Sequence, residues 1–230
     1  MTSIYLEGDY LANNPSWHSE DSPTKARWID TILKRNHRDP KTIVEVGCGA
    51  GGILHELQKL RPEATYAGYE ISPDIFPSAE AKTNDRLTFH HQDILQTDAK
   101  GFDCLMLIDV FEHVPDYMGF IRGLKDRAEL KLFHIPLDMS VQGMLRGYRF
   151  MEVRESLGHI HYFFKDTALA TVRDCGYEVI DHMYTASTQE LPNQKFATKL
   201  LNIPRKIVDY INKDFSVRLF GGYSLLVLAR

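Results

Sequence analysis

The apolar positions of this 230-residue chain fall into short, β-branched runs that alternate with segments of helical periodicity. From Lys41 onward, each run is bounded by turn-forming residues and followed by apolar positions spaced three or four apart. This alternation predicts a parallel, doubly wound sheet. The predicted strands are 42–47, 65–70, 86–90, 102–108, 130–135 and 177–185, and the predicted helices are 51–61, 73–82, 117–128 and 165–175, with 139–150 a loop or helix.

The end of the chain departs from this alternation. The apolar run 223–229 follows Gly221 and Gly222 and has no helix after it, which predicts a seventh strand. Residues 187–221 then form an insertion between strands six and seven. Apolar and basic residues interleave over 195–213, and such a stripe packs on its own domain, forms a homodimer face or rests on a membrane surface.

Composition predicts one domain, 1–230, whose net charge gives no electrostatic attraction for polyanions. The chain is 43% hydrophobic, and Lys+Arg 27 against Asp+Glu 31 gives a net charge of -4, so no nucleic-acid partner is expected. Cys48, Cys104 and Cys175 are widely spaced, as is typical of structural thiols in a reducing cytoplasm. No run approaches the roughly 18 apolar residues of a membrane span, and Met1–Tyr10 does not resemble a signal peptide. We therefore expect a cytoplasmic protein without integral membrane association.

Residues 43–52 form a β-branched run that stops in four glycines. A buried strand must end here and turn tightly into a helix whose first N–H groups face a ligand. Gly47, Gly49 and Gly52 fit the dinucleotide spacing G-x-G-x-x-G. The same turn with Gly51 in place of Gly52, behind Glu45, fits the pattern of enzymes that use S-adenosylmethionine (SAM).

Two further acidic residues follow predicted strands. Glu70 ends the second strand, where a carboxylate can accept hydrogen bonds from both ribose hydroxyls of an adenosine. Asp93 follows the third strand, where it can accept from the adenine amine while Ile94 covers the ring face. The alternative for Asp93 is a loop residue that caps the next turn.

With Glu45, Glu70 and Asp93 in register and the turn Asp-Val-Phe-Glu-His-Val at 109–114, the chain resembles the class I SAM-dependent methyltransferases. It is similar in particular to ubiquinone-pathway O-methyltransferases. The resemblance covers about residues 40–185 and resumes at the last strand. It implies an α/β, three-layer Rossmann-like fold with a seven-stranded, mostly parallel sheet whose last strand is antiparallel.

The resemblance also implies the cofactor contacts, with SAM as methyl donor and S-adenosylhomocysteine as product. The glycine turn would lie against the methionine moiety, Glu45 would help hold its amino group, and Glu70 and Asp93 would hold the ribose and adenine. The cofactor-binding residues expected on this basis are Glu45, Gly47, Cys48, Gly49, Glu70, Ile71, Asp93, Ile94 and Asp109.

Asp109, Glu112 and His113 are spaced i, i+3 and i+4, so a helical turn after strand four would aim all three at the carboxyl edge of the sheet. Methyl transfer to a hydroxyl requires alignment and removal of a proton. We predict His113, His159 and Asp109 as the catalytic residues. His161 would share a face with His159 if that segment is extended.

A further resemblance, to small-RNA 2′-O-methyltransferases, implies a divalent ion, Mg²⁺ or Mn²⁺. The matching ligands here are Asp109, Glu112, His113 and His159, although this chain has Asp109 where those families have Glu. His134 lies inside the fifth strand and is expected to be a hydrogen-bonded core or edge residue rather than a catalyst.

The sequence favours a small-molecule acceptor methylated on oxygen rather than nitrogen, and it leaves alternatives. The acceptor pocket is expected from 139–157 and 187–221. The N-terminal arm and helix, 1–38, either close over the cofactor as a lid or pack outside the sheet. An NAD-dependent oxidoreductase with the same glycines, or a SAM-binding protein without catalysis, are the competing hypotheses. The aromatic and imidazole side chains of the arm are Tyr5, Tyr10, Trp17 and His18.

Overall fold

The computed structural model of the chain describes residues 19–186 and 207–230. Within these ranges, a single seven-stranded sheet has the order β3-β2-β1-β4-β5-β7-β6. The strands are β1 Thr42–Val46, β2 Thr65–Glu70, β3 Leu87–His91, β4 Phe102–Ile108, β5 Ala128–Pro136, β6 Val179–Thr185 and β7 Ser224–Ala229.

The strand directions confirm the predicted fold class. Strands β1 to β5 pair in parallel, whereas β7 is antiparallel to both of its neighbours, β5 and β6. The chain moves outward in one direction from β1 to β3 and in the other from β4 to β5. Ligands bind at the carboxyl ends of strands where the order reverses in this way, which here is the crevice between β1 and β4.

Helices cover both faces of the sheet and bury two hydrophobic layers. In β4, Cys104 and Met106 pack in one layer, whereas Leu105 and Leu107 pack in the other. Since alternate residues of a strand face opposite sides, burial on both sides explains why β4 is apolar without interruption from Cys104 to Ile108. The helices are α1 Ser22–Arg35, α2 Gly52–Leu60, α3 Phe76–Glu80, α4 Tyr117–Gly123, α5 Val141–Arg146, α6 Arg149–Leu157, α7 Lys165–Asp174 and α8 Lys213–Phe220.

Several predicted boundaries were too generous. The helix predicted at 117–128 ends at Gly123, and a 3-10 turn at Lys125–Arg127 leads directly into β5. The Arg127 guanidinium donates hydrogen bonds of 2.6 and 2.7 Å to two carbonyls in the loop before β4, which fixes the chain there as the start of a strand. The helix predicted at 73–82 shortens to α3, which has a proline in its first turn, where proline is tolerated.

The described part of the insertion, 207–220, consists of a helical stretch at 207–211 followed by α8. The aromatic residues of the N-terminal arm and most of the amphipathic stripe at 195–213 lie outside the described residues. All three cysteines are buried and have free thiols, as predicted. Among the helices of the described ranges, none is both long enough and apolar enough to cross a bilayer.

Candidate functional site

The glycine turn after β1 is closely packed on the neighbouring loop. Gly47, Gly49 and Gly51 all have positive φ, between 53° and 72°, which glycine adopts without strain. A Cβ at Gly47 would lie 2.9 Å from a methyl of Val110, so only glycine allows the loop after β4 to approach this turn. The turn thus abuts the loop that carries Asp109.

The first turn of α1 lies on the other side of the glycine turn. A Cβ at Gly52, the first residue of α2, would overlap Ser22 Oγ at the start of α1. Lys25 follows Ser22 by about one helical turn and therefore projects toward the same place. The sequence did not single out Lys25, because an isolated lysine on an amphipathic helix carries no signal of its own.

Glu45, inside β1, is a buried acid whose charge is not balanced by a direct partner. Its side chain is 1% exposed. Within the described part of the chain, Oε2 has no hydrogen-bond partner. Burial raises the pKa of Glu45 to about 8, against the attraction of nearby Lys25, while the like charges of Glu70 and Asp109 reinforce the rise. A cation entering the crevice would find an available acceptor here.

Glu70 joins the turns after β1 and β2. Its Oε2 accepts from Gly49 N at 2.8 Å, and its Oε1 accepts from Ile71 N and Ser72 N, each at 2.8 Å. A carboxylate offers about four acceptor positions, so three are used by the backbone. Glu70 therefore keeps acceptor capacity beside the glycine turn, and its predicted contact with the ribose hydroxyls stays a prediction.

The two residues predicted to contact adenine, Asp93 and Ile94, lie in different environments. Asp93 Oδ1 accepts from Leu95 N at 2.9 Å and caps a 3-10 turn at Ile94–Gln96, which is the alternative that the sequence left open. Ile94 is 0% exposed and packs in the core, and its expected contact with a ring face stays a prediction. Cys48 likewise packs its side chain in the core layer beneath the turn.

Asp109 takes a different direction from the one predicted. Its φ is 55°, a left-handed conformation that Asp tolerates better than most residues. Its Oδ1 accepts from His134 Nδ1 at 2.6 Å, and its Oδ2 accepts from Lys25 Nζ at 2.8 Å. His134 Nε2 in turn lies 2.8 Å from Thr185 Oγ1. The expectation that Asp109 shares a face with Glu112 and His113 is therefore wrong.

The charges around Asp109 favour its ionised form. Burial opposes ionisation, but the charges of His134 and Lys25 and their hydrogen bonds hold the pKa of Asp109 below its usual range. Burial also disfavours the Lys25 cation, yet attraction to Asp109 keeps the pKa of Lys25 above its ordinary value. The two groups thus form a charged pair. His134 is a hydrogen-bonded core residue, as predicted, and Trp28 stacks on it at 5.9 Å between ring centroids.

Glu112, His113 and His159 come together without Asp109. Their metal-capable atoms all lie within 4.8 Å of one another, and the two imidazole rings meet edge to face at 4.9 Å. His113 Nδ1 donates to Gly158 O at 3.1 Å, which leaves the lone pair on Nε2. Asp138 Oδ2 accepts from His159 Nδ1 at 2.6 Å and orients that ring in the same way.

Burial around Glu112 and His113 favours the uncharged form of both side chains. Burial and the charge of His159 lower the pKa of His113 to about 4, against the hydrogen bond to Gly158, so His113 is neutral at pH 7. Glu112 is 0% exposed, and neither of its carboxylate oxygens has a hydrogen-bond partner among the residues that the structure describes, although Oε1 lies 3.7 Å from His113 Nε2. Burial, together with the negative charge of Asp109, raises the pKa of Glu112.

His161 does not join His159 in this group. Its Nε2 donates to Val114 O at 2.9 Å, and its ring packs on Tyr117 at 4.5 Å, so it holds the loop after β4 in place. Sequence reasoning also missed Asp138, which lies 21 positions before His159 and becomes its partner only through the fold.

Comparison with known proteins shows the family of the chain. Residues 17–182 match the family described as "Methyltransferase domain". The ubiquinone biosynthesis O-methyltransferase of Hydrogenovibrio crunogenus is 28% identical over 101 residues, which is 41% of each chain. The rRNA adenine N-6-methyltransferase of Escherichia coli is 32% identical over 82 residues, 34% of this chain and 33% of that protein. The chain thus spans well under half the length of these curated relatives.

A solved structure shares the fold. The magnesium protoporphyrin IX methyltransferase of Synechocystis PCC 6803 with bound S-adenosylhomocysteine aligns with a TM-score of 0.60 at 16% identity. The alignment covers 90% of this chain and 82% of that one. At this identity the likeness concerns the fold alone.

Proposed function

Because this chain belongs to the class I SAM-dependent methyltransferases, we propose that it transfers the SAM methyl group to a hydroxyl oxygen of a small-molecule acceptor. The NAD-dependent alternative falls away with that family membership. The observation that carries the proposal is the pair of oriented imidazoles, His113 and His159, in one group with Glu112. An oxygen acceptor needs a proton removed, and an imidazole is the side chain best suited to receive it near neutral pH.

The two imidazoles have different roles in this proposal. Asp138 accepts the Nδ1 proton of His159, an arrangement that orients an imidazole and stabilises its cation after proton transfer. His159 Nε2 therefore receives the hydroxyl proton. His113, neutral because its pKa is lowered to about 4, accepts a hydrogen bond that aligns the acceptor. The C–S bond of the sulfonium breaks as the C–O bond forms, and its electron pair stays on sulfur.

The acceptor class rests on two observations. A net charge of -4 gives no general attraction for a polyanion, which favours a small molecule over RNA. Among the relatives, one is an O-methyltransferase of ubiquinone biosynthesis and another methylates adenine nitrogen in rRNA. The histidine group supports an oxygen acceptor, because a neutral amine nucleophile needs less help from a base.

A radiolabelled-SAM screen with paired hydroxyl and amine acceptors of the same skeleton tests this function. We expect label on oxygen, and we expect His159→Ala to lower turnover by about 10²-fold or more with unchanged affinity for S-adenosylhomocysteine. His161→Ala is the matched control, since the His161 side chain bonds Val114 O and packs on Tyr117 and does not join the histidine group. Label on nitrogen, or equal loss of cofactor affinity in His159→Ala, would contradict the proposal.

A second candidate is metal-assisted methyl transfer, favoured by the unpartnered carboxylate oxygens of Glu112. The donor set of one carboxylate and two imidazoles fits Mn²⁺ and other divalent ions, and Asp138 supplies the outer hydrogen bond that such histidines usually have. Glu112, His113 and His159 would hold the ion, which would polarise the acceptor hydroxyl. Turnover lost in EDTA and restored by Mg²⁺ or Mn²⁺ would favour this candidate, and turnover indifferent to EDTA would exclude it.

A further inference from the structure

The pair of Lys25 and Asp109 occupies a defined place beside the cofactor turn. Lys25 comes from the first turns of α1, which rests on Gly52, and Asp109 precedes Val110, which rests on Gly47. The segments that carry the two residues therefore both contact the glycine turn. Lys25 keeps 15% and Asp109 26% of the side chain exposed, so the pair is not sealed in the core.

Lys25 is held more firmly than a surface lysine. Asp109 accepts from Lys25 with one oxygen and from His134 with the other, and His134 is bonded to Thr185. This chain of contacts links α1 to β4, β5 and β6. A lysine loses much conformational entropy when it is fixed in this way, and desolvating a charged pair often costs as much as the pair contributes. Such an arrangement is typical of a binding group that is placed in advance.

The Lys25 ammonium has hydrogen-bonding capacity left. An ammonium has three donors, and in the described ranges Lys25 Nζ donates one, to Asp109. Glu45 attracts Lys25 electrostatically and has a buried oxygen without a partner. The site therefore offers donors on a cation and an acceptor on an acid within one small region. An α-amino acid presents the complementary groups, a carboxylate beside an ammonium.

We infer that Lys25 binds the α-carboxylate of the cofactor, next to Glu45, to which the family resemblance already assigns the α-ammonium. This deepens the proposed function and rests on it, since the cofactor supplies the amino-acid end. Asp109 and His134 are then positioning residues, which hold Lys25 over the glycine turn. Asp109 acts in cofactor binding through Lys25 and has no part in the histidine group.

A double-mutant-type cycle, in which one substitution in the protein is combined with removal of one group from the ligand, tests the inference. The ligands are S-adenosylhomocysteine and its decarboxylated form, which lacks only the α-carboxylate. The protein variants are Lys25→Met and Lys25→Arg, and Lys34→Met is the matched control, because Lys34 lies on the same helix with its side chain exposed. Affinities are measured by calorimetry, and folding is checked by thermal unfolding.

We expect Lys25→Met to weaken S-adenosylhomocysteine binding at least tenfold and to leave binding of the decarboxylated ligand within about twofold. Lys25→Arg should restore part of the loss, and Lys34→Met should change neither affinity. Equal loss for both ligands would show a purely structural Lys25 and overturn the inference. Wild-type protein that binds the two ligands equally well would overturn it without any variant. Wild-type protein that binds neither ligand would remove the cofactor assignment itself, which is a different result.

Discussion

Raising the pH is expected to strengthen binding of S-adenosylhomocysteine, because Glu45 must lose a proton when the ligand's ammonium arrives. Burial keeps the pKa of Glu45 at about 8. The charged groups that face it are Lys25, which favours ionisation, and Glu70 and Asp109, which oppose it. An ammonium against Oε2 adds a second favourable charge and stabilises the carboxylate.

The size of the effect follows from that pKa. Below about 8, each pH unit adds about 1.4 kcal/mol to the free energy needed to ionise Glu45, so affinity falls about tenfold per unit. At pH 7 the dissociation constant should be about tenfold above its plateau, and at pH 6 up to about a hundredfold. The sign is fixed, since binding releases a proton and is therefore favoured by higher pH.

Calorimetry in two buffers of different ionisation enthalpy measures both the affinity and the number of protons released on binding. At about pH 6.5 we expect close to one proton released per S-adenosylhomocysteine bound by the wild-type protein. Glu45→Gln cannot titrate, and its affinity should be flat from pH 6 to 8 with no proton released. A wild-type affinity that is independent of pH, or a Glu45→Gln variant that still releases the proton, would refute the reasoning.

Three further predictions concern single substitutions. Gly49→Arg should abolish S-adenosylhomocysteine binding in calorimetry, because its positive φ disfavours a side chain and the long side chain fills the crevice beside the turn. Gly51→Ala should lower the free energy of unfolding in urea by about 1–3 kcal/mol, because its φ is 72° and the new Cβ would lie 2.5 Å from the Phe89 ring; unchanged stability would contradict the packing. Asp138→Asn should reduce kcat with little change in cofactor affinity, because the His159 ring loses the acceptor that orients it, and steady-state kinetics that show only a KM effect would argue against that role.

The sheet was predictable because its signal is local. The apolar run of β4 predicts a buried strand, and the four glycines after β1 predict a tight turn. The isolated apolar run at the end of the chain predicts the strand β7. The antiparallel direction of β7, in contrast, came from family resemblance. The end of α4 was not predictable, because it depends on a guanidinium that bonds another loop.

The site was predictable only where one residue type is needed for one local geometry. Spacing placed Asp109 beside His113, but a single left-handed residue turned it toward Lys25, which lies 84 positions earlier in the chain. Asp138 and His159 also meet only through the tertiary fold, because the segment between them contains α5 and α6. Ile94 lies in the core because the capped turn at Asp93 directs it inward, and no pattern distinguishes this from exposure to a ligand.

The reversed strand β7 has a consequence for how acceptor preference can diverge among related proteins. Thr185 at the end of β6 pairs with Ser224 at the start of β7, so the intervening chain departs and returns at the same edge of the sheet. Lengthening such an excursion costs little, about 0.6 kcal/mol for each doubling of a flexible loop. Insertions and deletions between these two anchors can therefore remodel the rim of the crevice while the glycine turn, Glu45 and Glu70 stay where they are.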